Sequence, residues 1–209
     1  MKKETIQSGI YLIIDPSMDE EILLAKLNVI VNEKISAIQI WDHFKENENI
    51  EELVSKISAK TSLHNIPLLI NNRWEILKQI PLDGIHFDEI PENFNHIKKE
   101  ISRDFLVGIT CNNDLATIEY AEKHQFDYIS FCSMFPSKTA NSCELVSFET
   151  IQKAKSIFNG KIFLAGGIDL NTIENLGDLN YDGIAIVSGI MSAGNPSQAI
   201  KEYQQKIKK

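Results

Sequence analysis

Cysteine is scarce in this chain: three among 209 residues, Cys111, Cys132 and Cys143, with no C-x-x-C spacing. An odd number without paired spacing excludes a disulfide framework or a zinc ribbon and fits a reducing, cytoplasmic compartment. Long apolar runs are missing as well. The first one, Ile10–Ile14, is too short for a membrane span, and the MKK start is followed by Glu4 and Gln7. Neither a membrane helix nor a secretory signal is therefore expected. Positive charge is also in short supply, with 21 Lys and Arg against 29 Asp and Glu for a net charge of −8. That balance speaks against nonspecific binding to nucleic acid or anionic lipid, both of which need a basic surface. The basic tail (Lys201, Lys206, Lys208, Lys209) reads as the solvated face of a last helix. No low-complexity linker interrupts the chain and no G-x-G-x-x-G follows its first strand-like run, which removes the signature of a Rossmann fold.

What the chain does have is repetition. Apolar, β-branched runs recur at Gly9–Ile14, Ala37–Trp41, Pro67–Ile70, Gly84–Phe87, Leu106–Thr110, Tyr128–Phe131, Ile162–Ala165 and Gly183–Val187. Short apolar runs bounded by turn formers predict buried parallel strands. Between them, apolar residues fall at helical spacing: Ile22, Leu23, Leu27, Ile30 and Val31; Leu53, Val54 and Ile57; Ile118 and Ala121; Ile151, Ala154, Ile157 and Phe158; Ala199, Tyr203 and Ile207. Asn171-Thr172 and Asn195-Pro196 read as helix starts. Eight strand–helix repeats with nothing left over predict a (β/α)8 TIM barrel, a single domain over residues 1–209.

In such a barrel, the chemistry sits at the C-terminal strand ends. Those positions hold Asp15; Gln39, Trp41, Asp42 and His43; Asn71, Asn72 and Arg73; His86, Asp88 and Glu89; Thr110, Cys111, Asn112 and Asn113; then Ser133, Ser137, Lys138 and Thr139 in the long Cys132–Val146 segment. The last two strands run into Gly166-Gly167 and Ser188-Gly189. Glycine there lets backbone approach a ligand, and converging N–H groups suit an anion, so this pair of turns predicts a phosphate cradle. His86 and Cys111 read more simply as buried strand residues than as catalysts. Trp41 reads either as a stacking face for a heterocycle or as filling of the barrel mouth, and Trp74 as core.

The pieces Gln39-Ile40-Trp41-Asp42-His43, Asn71-Asn72-Arg73, Gly84-Ile85-His86-Phe87, Val107-Gly108-Ile109-Thr110, Phe135-Pro136-Ser137-Lys138-Thr139, Ala165-Gly166-Gly167-Ile168 and Val187-Ser188-Gly189-Ile190, in that order, resemble the family of thiamine phosphate synthase and thiazole tautomerase. The resemblance covers nearly the whole chain. It implies coupling of hydroxymethylpyrimidine diphosphate with thiazole phosphate to give thiamine phosphate and pyrophosphate, with magnesium as the usual cofactor. It further implies that Gly166, Gly167, Val187 and Ser188, with Ser137 and Thr139 closing over, hold the thiazole phosphate. Gln39, Trp41, His43, Asn71 and Arg73 would face the pyrimidine diphosphate, Thr110 and Lys138 the reacting groups, and Asn72, Asp88 and Glu89 a metal. Phosphorylated heterocycles are the expected partners. Self-association into a homo-oligomer stays open.

The chain departs from the family where charge matters. Trp41 and His43 stand where the family has arginine and lysine, Asn72 and Pro91 where it has metal-binding aspartates, and Ala140 where it has lysine. Two other readings therefore accompany the synthase: a tautomerase acting on the thiazole phosphate alone, for which Asn112 replaces the usual histidine, and a non-catalytic sensor of a phosphorylated heterocycle.

Overall fold

This computed structural model describes residues 5–46, 48–136 and 144–207. Eight parallel strands close a barrel in sequence order: β1 Gly9–Ile14, β2 Ala37–Ile40, β3 Leu68–Asn71, β4 Gly84–Phe87, β5 Leu106–Cys111, β6 Tyr128–Cys132, β7 Lys161–Ala165 and β8 Gly183–Ile186, with β8 pairing back onto β1. The bounds of β1 and β4 are those expected, and the other six strands differ by no more than one residue at either end.

Around the barrel run α1 Glu20–Ile30, α2 Ile50–Ser62, α3 Phe94–Ile101, α4 Leu115–Lys123, α5 Phe148–Ile157, the short α6 Ser188–Met191 and α7 Pro196–Lys206. Six of these begin with a side chain that accepts from a first-turn N–H: Asp19, Asn49, Asn93, Asp114, Ser147 and Asn195. Such caps satisfy donors that would otherwise be orphaned. α6 has no side-chain cap. Two expectations change in detail. The helix after β3 is a 3-10 turn, Trp74–Lys78, and Asn171-Thr172 opens another, Ile173–Leu176. α3, which the apolar pattern did not mark, buries Phe94, Ile97 and Ile101.

The core has two layers. Residues pointing outward from the strands meet the helices, as Leu12, Ile38, Ile70 and Ile129 meet Leu27, Val54 and Ile118. Residues pointing inward form a second cluster with Tyr11, Ala37, Leu69, Leu106, Tyr128 and Phe163. The interior is thus a packed plug. Tyr128 claims so much of it that a Cβ at Gly108 would lie 1.9 Å from its ring. Only glycine fits there.

Candidate active site at the barrel mouth

Beneath the C-terminal strand ends, a row of polar groups crosses the barrel. The Tyr11 hydroxyl donates to Gln39 Oε1 at 2.8 Å and lies 2.6 Å from the Tyr128 hydroxyl. The Tyr128 hydroxyl is 2.9 Å from His86 Nδ1, and His86 Nε2 is 2.9 Å from Thr110 Oγ1. Gln39 and His86 are buried, while Thr110 is half-buried near the end of β5. Burial lowers the His86 pKa to about 4, against the opposing pull of the Asp88 carboxylate. The imidazole is therefore neutral near pH 7. Cys111 is 1 % exposed, and burial, with the Asp114 carboxylate adding, pushes its thiol up to about 12. A thiol so held is no base. Both residues match their reading as strand core.

One side of the rim, over β1 to β4, is laced together by its own side chains. Asn71 donates to Asp88 Oδ1 at 3.0 Å and to the His86 carbonyl at 3.2 Å, while its own Oδ1 accepts from the Asp42 N–H. Asn72 sits at φ +59°, a left-handed position that asparagine tolerates. Its amide donates to Asp88 Oδ2 at 2.8 Å and accepts from the Asp88 N–H at 3.0 Å. Arg73 Nε meets Asp42 at 2.5 Å, with its guanidinium 5.2 Å from the Phe44 ring centroid. His43 Nδ1 lies 3.1 Å from Asp15, and its ring centroid is 4.8 Å from that of Trp41.

Gln39, Trp41, His43, Asn71 and Arg73 thus share one side of the mouth. The proposed metal ligands do not open onto a common point. Each Asp88 oxygen already faces an amide, Asn72 is turned onto Asp88, and Glu89 stands exposed. Among the described residues, no three His, Cys, Asp or Glu side chains are grouped to hold a metal. As they stand, these residues do not fit a magnesium ion, which asks for free carboxylate oxygens.

The other side, at β6 to β8, is built from backbone. Ala165 pairs with Ala185, so the turns after β7 and β8 are neighbours. Gly166 and Gly167 have φ of +82° and +67°. A Cβ at Gly166 would fall 2.2 Å from Ser133 Oγ and one at Gly167 2.4 Å from the Phe135 carbonyl, so both positions exclude a side chain. The Met134 N–H donates to the Ala165 carbonyl at 2.9 Å, and that of Phe135 to Gly166 at 3.0 Å. Thr172 Oγ1 donates to the Gly167 carbonyl at 2.8 Å. Those carbonyls are therefore held inside the fold. α6 begins at exposed Ser188. Ser137, Lys138, Thr139 and Ala140 lie outside the described residues.

At the opposite end of the barrel, a cleft of about 280 Å³ touches Thr5, Lys155, Lys161 and Asp182. Both lysines are bonded to Asp182, at 3.0 and 2.9 Å, so that cleft is a braced floor. Sequence reasoning missed Tyr11 and Tyr128, and the rim pairs Asp42–Arg73 and Asp15–His43. Tyrosine at an inward position of β1 and of β6 was the available signal.

A family model described as thiamine monophosphate synthase matches residues 10–190. The chain is 29% identical over 210 aligned positions to the thiamine-phosphate synthase of Clostridium tetani, covering 97% of each protein. It is 26% identical over 202 positions to that of Methanobrevibacter smithii, covering 95% of this chain and 96% of the relative. Among solved structures, the thiamine phosphate pyrophosphorylase of Pyrococcus furiosus superposes with a TM-score of 0.80 at 19% identity, covering 96% of both chains. No helix among the described residues is long and apolar enough to cross a membrane.

Proposed function

This chain belongs to the thiamine monophosphate synthase family, and from that membership we propose that it couples hydroxymethylpyrimidine diphosphate with thiazole phosphate, giving thiamine phosphate and pyrophosphate. The observation that carries the reading is the pairing of β7 with β8, which lays the Gly166-Gly167 turn beside Val187 and Ser188. A cradle without side chains suits a phosphoryl group. The pyrimidine ring lies over Gln39 and Thr110 with Trp41 on its face, and its diphosphate points toward Arg73 and His43.

In the reaction, the bond from the pyrimidine methylene carbon to the diphosphate oxygen breaks, and the leaving group keeps the electron pair. The thiazole nitrogen supplies the pair that forms the new carbon–nitrogen bond. Holding both rings in line removes the entropy of bringing them together, while fixed cations stabilise charge on the leaving diphosphate. Because Asn72 and Asp88 are spent on one another, that charge falls to Arg73 and Lys138, with the His43 ring as a hydrogen-bonding partner. The Asp42–Arg73 side chains are 26% and 43% exposed; an ion pair this wet contributes at most about 1 kcal/mol. A diphosphate can take the guanidinium from it. The buried, protonated Cys111 thiol leaves the tautomerase reading without a base at β5.

The test mixes both substrates with the protein, with and without magnesium. Thiamine phosphate is followed by thiochrome fluorescence and pyrophosphate by its release. Equal amounts of the two products are expected. Binding of thiazole phosphate with no product under either condition replaces the synthase with the sensor.

A further inference from the structure

We propose that Tyr11 and Tyr128 are positioning residues that set the hydrogen-bond polarity of the mouth, leaving Gln39 to act as a donor and Thr110 as an acceptor toward a bound ring. The protons along the buried row can be counted one by one. An amide carbonyl can only accept, so Tyr11 gives its single hydroxyl proton to Gln39 Oε1. The 2.6 Å contact between the tyrosines must then use the proton of Tyr128. With that proton spent, the Tyr128 oxygen accepts from His86 Nδ1–H. A neutral imidazole carries one N–H, so Nε2 is bare and accepts from the Thr110 hydroxyl. Every bond in the row points the same way.

At one end, the Gln39 NH₂ is left for the ligand; at the other, the Thr110 lone pairs are. That pattern fits a heteroaromatic ring with an acceptor nitrogen facing Gln39 and an amino donor facing Thr110. This description of the ligand rests on the pyrimidine reading of the site, whereas the polarity of the row does not. The opposite polarity needs the Gln39 amide turned over and the His86 proton on Nε2. The two polarities are therefore told apart by a single proton.

The test is ¹⁵N-histidine NMR of the full chain near pH 7. His86 is expected with Nδ1 protonated and Nε2 bare; a protonated Nε2 overturns the proposal. Tyr128→Phe should shift the proton to Nε2 and raise KM for the pyrimidine diphosphate roughly tenfold, as expected when one hydrogen bond is lost. KM for thiazole phosphate should not change. Tyr11→Phe should free the Gln39 amide and, because the Tyr128 proton then has only Nδ1 to accept it, also move the imidazole proton to Nε2. Phe163→Leu removes a ring 5.7 Å from that of Tyr128 but no hydroxyl, and it should leave both tautomer and KM ratio unchanged. An unmoved tautomer in Tyr128→Phe, or an equal rise in both KM values, also overturns the proposal. Should the wild type make no thiamine phosphate, the synthase reading fails while the wild-type tautomer still decides the polarity.

Discussion

An imidazole buried without charge makes the folded chain a poorer proton acceptor than the unfolded one. The ordinary histidine pKa is 6.5, and folding lowers that of His86 to about 4. Stability from this site is therefore complete above pH 6.5 and is lost as pH falls toward 4, at roughly 1.4 kcal/mol per pH unit at most. Urea unfolding across that window should show the acid slope, and His86→Gln should flatten it; an unchanged slope would assign the effect to other groups. Asn72 illustrates a second dependence on a single residue. Its amide joins Asp88 through two hydrogen bonds, 2.8 and 3.0 Å. Asn72→Asp sets two carboxylates face to face and should cost about 1 kcal/mol. The same pair of carboxylates would suit a hard cation, so millimolar magnesium should restore the loss in Asn72→Asp and leave the wild type unmoved.

Between strands, the barrel repeats a device at the start of each even-numbered one. Asp83 Oδ2 accepts from Leu68 N–H at 2.8 Å, Asp127 Oδ2 from Val107 N–H at 2.7 Å, and Asp182 Oδ2 from Ile162 N–H at 2.9 Å. The N–H of each aspartate returns a bond to the carbonyl of the same partner. A charged acceptor on a strand N–H contributes about 1.5–3 kcal/mol, so Asp83→Ala, Asp127→Ala and Asp182→Ala should each lower stability by that order. Their Asn counterparts, which keep the acceptor, should lose less. At the fourth position, Ser36 returns the bond to Ile10, while its buried hydroxyl has no partner. Ser36→Ala should therefore be neutral or slightly stabilising. The signal is legible as D-G-I, D-Y-I and D-G-I at residues 83, 127 and 182, but only once the strands are aligned. The eight strands themselves read from sequence because each is buried on both faces, which makes its apolar run continuous. α3 escaped because Phe94, Ile97 and Ile101 stand among Asn, His, Lys and Glu. Of the site, the glycine turns and the polar ring were legible in local composition. The interior row was not, since Tyr11 and Tyr128 are 117 residues apart and tyrosine inside a strand reads equally well as a β-former.

For the molecule as a whole, a net charge of −8 means that the proposed anion site has to be local, and closure of the barrel sets its two turns side by side. β7 and β8 bring two backbone turns together, so a phosphate held there, as proposed, would bind the folded chain and not the unfolded one. Ligand at a hundredfold excess over its Kd then adds about 2.7 kcal/mol, or a rise in Tm of roughly 5–10 °C for a chain of this length. Thiazole phosphate should give that rise in wild type. Gly167→Asp should abolish it, because the new Cβ meets the Phe135 carbonyl and the carboxylate repels the phosphate. Backbone strain alone is controlled by Gly177→Asp. That glycine also has a positive φ, +57°, but a Cβ added there would meet nothing within 4 Å. Gly177→Asp should lower the baseline Tm and keep the full ligand shift. If Gly167→Asp keeps its shift as well, the phosphate sits elsewhere on the barrel, and the turns after β7 and β8 are strand junctions like the other six.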